Sequence, residues 1–182
     1  MLSNVKPEDI LFLDIETVPA ASSYSLLDKS FQAHWDKKSK QFRDEGQTAE
    51  DVYERAGIYA EFGKIICISV GLIKEKSPFS FRIKSFYGDD EKALLLEFSS
   101  MLNKFSKNRE ALLCAHNGKE FDFPYIARRM IINRLIIPDL LDNAGRKPRE
   151  LKLLVTLDLC KFVDYKSFKS LDLLTNTLNI PS

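Results

Sequence analysis

Four consecutive apolar residues, Ile10-Leu11-Phe12-Leu13, run without a break into Asp14-Ile15-Glu16. A short continuous apolar run of this kind predicts a strand covered on both faces rather than an edge strand. The strand period of two then places Asp14 and Glu16 on one face. Like charges so placed repel, and burying them is costly unless a cation neutralises them. Hard divalent ions such as Mg²⁺ or Mn²⁺ take oxygen ligands and serve that purpose. A solvated strand end with Glu16 turned outward would carry the same residues, and short motifs often match by chance. The preceding apolar run is what weights the pair toward chemistry.

The rest of the chain can house such a strand. Its 182 residues, 45% of them hydrophobic, correspond to one domain, or one domain with an appendage, whose ordinary core needs neither disulfides nor a structural metal, and intrinsic disorder is not expected. With 27 Lys+Arg against 26 Asp+Glu the net charge is only +1, so a broadly basic nucleic-acid wrapper is excluded and a local basic patch is not. Cys67, Cys114 and Cys160 lie in apolar runs, which predicts buried reduced thiols and a reducing compartment. The N-terminal residues lack a signal-peptide pattern, and the longest apolar stretch, Ile65 to Ile73, is about half of what a bilayer requires. A soluble, cytoplasmic protein without membrane contact is expected.

From Ala20 to Gly63 the chain turns polar and mixed, predicting an elaborated loop or helical insertion over residues 20–63, with a helix starting at Thr48. Lys64 to Ile73 and Phe79 to Tyr87, separated by Lys74-Glu75-Lys76-Ser77-Pro78, predict an antiparallel hairpin. Asp89 is placed to cap a helix whose stripe is Leu94, Leu95, Phe98, Met101, Leu102 and Phe105. Ala111 to Ala115 reads as a fourth strand, followed by a helix from the neighbourhood of Pro124 to about Arg134. Leu153 to Leu159 reads as a fifth strand and Ser170 to Leu178 as a last helix, giving a mixed α/β domain.

Between the fourth strand and its helix lies His116-Asn117-Gly118, with Asp122 shortly after. Asp122 suits two readings. It can compensate the helix dipole, or it can join Asp14 and Glu16 if that helix begins beside the first strand. His116 could be a general base, but a lone His in a turn after a buried strand is more often structural, and Asn117-Gly118 alone reads as a turn.

Phe12-Leu13-Asp14-Ile15-Glu16-Thr17-Val18-Pro19 resembles the first motif of the DEDD 3′-5′ exonucleases, the DnaQ-like branch of the ribonuclease H-like fold. Ala115-His116-Asn117-Gly118-Lys119-Glu120-Phe121-Asp122-Phe123-Pro124 resembles their second motif. With Glu61 to Gly71 between them, the phrasing is most similar to bacterial proteins related to the exonuclease domain of family B DNA polymerases. The resemblance covers about Ile10 to Ser182. It implies a five-stranded sheet of order 3-2-1-4-5, strand 2 antiparallel, flanked by helices. It also implies that Asp14, Glu16 and Asp122 bind two divalent metal ions, Mg²⁺ or Mn²⁺, and carry the catalysis. Thr17, Asn117 and Phe121 would lie near the terminal nucleotide. The activity so implied is removal of nucleoside 5′-monophosphates from single-stranded DNA or RNA 3′ ends.

Those enzymes carry a third motif, Tyr-x-x-x-Asp or His-x-x-x-x-Asp, on a C-terminal helix. After Asp122 this chain shows neither, since Tyr165 is followed four places on by Lys169. The expectation is therefore a single exonuclease domain over residues 1–182, C-terminally truncated and impaired, with Asp158 a poor substitute ligand. The competing expectation is a non-catalytic single-stranded nucleic-acid binding module with the same fold. The basic segments Lys37 to Arg43, Arg128-Arg129 and Arg146 to Arg149 could serve either, although exposed charge is also the default for a solvated face.

Overall fold

The computed structural model describes residues 5–76, 79–107, 109–147, 150–161 and 170–180. Strand β1, Ile10–Pro19, is the centre of a five-stranded sheet of order β3-β2-β1-β4-β5. Strands β2, Gly63–Lys76, and β3, Phe79–Tyr87, are rich in β-branched and aromatic residues and form the antiparallel hairpin. Strand β2 runs further than the sequence pattern indicates and β3 spans the expected residues, while residues 77–78 of the turn lie outside the described residues. Strands β4, Leu112–Ala115, and β5, Leu153–Val155, are added in parallel on the other side. The expected order and directions are thus those observed.

Alternation along β1 sends Leu11, Leu13 and Ile15 into the main core, while Phe12, Asp14 and Glu16 face outward. Here the structure corrects the expectation of a strand covered on both faces. Phe12 is 37% exposed, so among the described residues the second face is open around the acids. The β1–β2 register jumps between Glu16↔Cys67 and Thr17↔Ile65, leaving Ile66 as a one-residue bulge opposite the end of the acidic stretch.

Helix α1, Lys29–Ser39, starts at Asp28, whose side chain accepts from the Phe31 N–H at 2.9 Å. It is the α-helix of the insertion. No helix starts at Thr48. Instead the Thr48 and Asp51 side chains bond each other's backbone N–H groups in a local turn, the competition with helix that these residue types favour. A 3-10 helix, Tyr53–Ile58, follows. Around Trp35 this insertion builds a satellite core of Ala49, Val52, Tyr53 and Ala56, edged by Tyr24, Phe42, Tyr59 and Phe62. The Trp35 indole N–H donates to the Ala49 carbonyl at 2.8 Å, so the ring is buried without an orphan donor.

Helix α2, Glu91–Ser106, is capped by Asp90 rather than Asp89, with the Ala93 N–H donating to its carboxylate at 3.0 Å. Its buried stripe of Leu94, Leu95, Phe98, Leu102 and Phe105 lies on the core face of the sheet, Phe98 meeting Phe86 edge to face. Truncating such a ring costs about 3–5 kcal/mol. Helix α3, Asp122–Ile132, ends two residues earlier than expected, and Arg134 turns into the left-handed region at φ 57°. Strand β5 stops at Val155. The chain then enters helix α4, Thr156–Lys161, so Asp158 is a helix residue bonded to Lys161 rather than the close of a strand. Helix α5, Leu171–Thr177, is capped by Ser170 as expected. Of the three free thiols only Cys114 is fully buried, its pKa raised to about 11 by that burial; Cys67 and Cys160 are half-buried.

Candidate active site

The decisive question left by the sequence is whether α3 begins beside β1, and it does. The turn from β4 into α3 is built by the Asn117 carbonyl, which accepts from the N–H groups of Glu120 and Phe121, both at 3.0 Å. Gly118 sits where a Cβ would come within 2.6 Å of Ala115 and of the Phe123 ring, so only glycine fits so close a return. Asp122 is the first residue of the helix and its carboxylate turns inward, 4% exposed, accepting from the Ile15 N–H of β1 and from its own N–H. Burial first, and then the charge of Asp14, push Asp122 up to about 6, against the opposing hydrogen bonds and the His116 ring.

Asp14 on β1 therefore lies near enough to Asp122 at the head of α3 for its charge to act on it, and among the described residues neither is in a salt bridge with a Lys or Arg. Glu16 follows on the same exposed face of β1. These three are not brought close enough to form a ready metal cluster: no group of three or more His, Cys, Asp or Glu side chains able to hold an ion occurs among the described residues. In donor type the pair still fits a hard divalent ion, because two mutually repelling carboxylates, one of them buried, are what such an ion neutralises.

Thr17 is half-buried and hydrogen-bonds the Tyr125 hydroxyl, which also donates to the Gly57 carbonyl at 2.7 Å. Burial pushes Tyr125 up to about 12. Beside this hydroxyl Gly63 has no room for a side chain, since a Cβ would collide with it and with the Gly57 and Val18 carbonyls. The end of β1, the 3-10 helix and α3 are thereby locked together. Phe121 is half-buried with its ring tilted against Tyr125, centroids 5.4 Å apart, and Asn117 is half-buried in the turn. His116 does more than the sequence indicates: its Nδ1 lies 2.9 Å from the Thr156 hydroxyl, and its ring acts electrostatically on Asp122. Tyr125 carries no sequence signal, because Gly57 lies 68 residues away.

Arg129 overturns the reading of Arg128-Arg129 as an exposed basic segment. It is buried, and its guanidinium is spent on Glu91 and on the Ala60 carbonyl. No helix among the described residues is long and apolar enough to cross a membrane.

A mixed sheet of order 3-2-1-4-5 with an acidic residue on its central strand and another at the head of the helix after strand four defines a ribonuclease H-like domain. The family comparison agrees: the model of the RNase_H superfamily matches residues 52–177, and the chain belongs to that superfamily. The match takes in Asp122 and begins after β1. No curated protein matches the chain. Among solved structures it is similar to the family B DNA polymerase from the hyperthermophilic archaeon Pyrobaculum calidifontis, with TM-score 0.51 and 13% identity. That alignment covers 97% of this chain and 19% of the polymerase, so the two share a fold over a small part of the larger protein.

Proposed function

We propose that the chain is the domain of a divalent-metal-dependent 3′-5′ exonuclease that removes nucleoside 5′-monophosphates from single-stranded DNA or RNA ends. The observation that carries this reading is the approach of Asp14 to Asp122, with the buried acid raised to about 6 and, among the described residues, neither acid in a salt bridge with a Lys or Arg. Membership of the RNase_H superfamily and the fold shared with a DNA polymerase support it. Asp14, Glu16 and Asp122 would hold the ions, Mg²⁺ or Mn²⁺. Bound there, such ions make a nucleophile of water and stabilise in-line displacement at a phosphodiester.

The chain's own residues fix the scaffold for this. The Ile15 N–H holds the Asp122 carboxylate against β1, and the Gly118 turn lets α3 approach that closely. The His116–Thr156 bond sets the imidazole beside Asp122. Thr17 and Asn117 would meet the terminal nucleotide from the strand and the turn. Phe121, supported by Tyr125, would offer a ring edge to its base or sugar, a sequence-tolerant contact.

The test is a 3′-labelled single-stranded oligonucleotide incubated with the protein and Mn²⁺, with mononucleotide release followed over time. Release that disappears in Asp14→Ala and in EDTA is expected, the substitution lowering the rate about 10²- to 10³-fold. The lack of a three-ligand group among the described residues favours a second reading, a non-catalytic single-strand binding module. Oligonucleotide binding indifferent to Asp14→Ala, with no hydrolysis to remove, would establish that one instead.

A further inference from the structure

Of the four cations in the basic run Lys37 to Arg43, two are paired locally. Arg43 and Lys40 both meet the Asp36 carboxylate, at 3.0 and 3.5 Å. Lys38 makes no ion pair among the described residues: its ammonium donates to the Gln41 side chain at 3.5 Å and lies over the Tyr59 ring, 4.6 Å from the centroid, at the wall of a cleft of about 640 Å³. Phe31, His34, Tyr59, Glu61, Phe62 and Ile132 complete that wall. Phe31 stands edge to face with Phe62 and is 43% exposed, and Ile132 at the end of α3 is 48% exposed. The exposed Phe31 ring at the mouth of an open cleft, with an ammonium and an imidazole on the wall beside the Glu61 carboxylate, suits a base whose phosphate lies on the Lys38 side more than a purely apolar ligand.

The cleft's position follows from the fold. The Ala20 N–H, just past β1, donates to the Phe62 carbonyl at 2.8 Å. Pro19, the last residue of β1, is three strand residues beyond Glu16, about 10 Å. Ile132 closes α3 ten residues after Asp122, about 15 Å along the helix. At about 3.4 Å per stacked nucleotide, the cleft lies three to four nucleotides from the acids.

We propose that this cleft is a stacking subsite for a base of a single-stranded nucleic acid, several nucleotides from the end held at Asp14 and Asp122, with Lys38 on the adjoining phosphate. The proposal rests on the exonuclease reading and specifies which part of the insertion grips the strand. It gives the insertion a role that its own satellite core does not require.

The experiment is fluorescence anisotropy with phosphorothioate-linked thymidine oligonucleotides, which resist hydrolysis, two and six nucleotides long, in Mn²⁺. The hexanucleotide, long enough to reach the cleft, is expected to bind the wild type about tenfold more tightly than the dinucleotide. Phe31→Leu, which keeps apolar bulk and removes the ring, should abolish most of that gain, while Phe31→Trp keeps it. Lys38→Gln should lower the slope of log affinity against log salt by about one. A gain that persists in Phe31→Leu, or is missing from the wild type, overturns the subsite alone. A cleft serving an apolar peptide segment would leave the length gain and the salt slope untouched by these substitutions, which equally overturns it. Failure of the wild type to bind either length would bring down the exonuclease reading with it.

Discussion

Glu91 and Asp122 occupy the same place in two different helices. Each is the first residue after its cap, each is buried, and each carboxylate is turned toward the sheet rather than to water. Their surroundings could hardly differ more. Glu91 accepts from Arg129 Nε and Nη2, from the Ile65 N–H at 2.7 Å and from Asn133 at 2.9 Å. Burial alone would raise its pKa, but those bonds outweigh it and the result is a depressed value. Asp122 has Asp14 where Glu91 has Arg129, and its pKa is raised. A buried acid with every lone pair answered is architecture; one set against another acid is stability held back for a cation, as sites for ions tend to be.

The most severe way to break this comparison is to remove the cation from Glu91. Arg129→Met should destabilise the protein by about 3–5 kcal/mol, because an uncompensated carboxylate stays buried. Chemical denaturation would read this directly, and a loss below 1 kcal/mol would show that the network is dispensable.

The opposite sign is expected at Asp122. Its raised folded pKa means that stability is fully present below the ordinary 3.8 and is lost as pH rises through about 6. Asp122→Asn in EDTA at pH 7.5 should therefore be more stable than the wild type, by up to about 3 kcal/mol at 1.36 kcal/mol per unit. The advantage should close as pH falls toward 4, and adding Mn²⁺ should raise the melting temperature of the wild type alone. An Asp122→Asn protein no more stable than the wild type at pH 7.5 would contradict the geometry.

Glu91 runs the other way. A depressed folded pKa gives stability that is present above its ordinary 4.5 and is lost as pH falls through the lower folded value. Acid titrations of stability for wild type and Glu91→Gln should converge at low pH, the two acids thus pulling the curve in opposite directions. Parallel curves for the two proteins would remove Glu91 from the acid limb.

The mildest case is a neutral buried polar group. Trp35→Phe keeps an aromatic ring in the satellite core but takes the donor from the Ala49 carbonyl. A cost of about 1 kcal/mol by thermal melting is expected, with the main sheet unaffected.

Much of this was legible in the sequence where local periodicity and tertiary context agree. The stripe of α2 and the hairpin of β2 and β3 follow from spacing alone, and the sheet order follows from the motif resemblance. Expectations failed where a side chain had a nonlocal partner or a local competitor. Arg129 looked like surface charge because Glu91 is 38 residues away. Thr48 reads as a helix start because Glu50 and Asp51 would follow it in a first turn, yet its exchange with Asp51 closes a local turn. At the site, the shared face of Asp14 and Glu16 could be read from strand period. The burial of Asp122 could not, since it depends on the backbone of Ile15.

The Ile66 bulge has a consequence for how this strand tolerates change. On its near side the core-facing residues of β2 are the odd-numbered Gly63 and Ile65; beyond it they are the even-numbered Ile68 and Val70. The strand thus has two phases joined at one residue. Losing that residue would not shorten a loop but would force one phase to invert, taking Gly63 from beneath the Tyr125 hydroxyl or turning Cys67 and Ser69 into the core. Substitutions at Ile66 change a side chain, whereas a single-codon deletion there would misassign a whole face of the sheet.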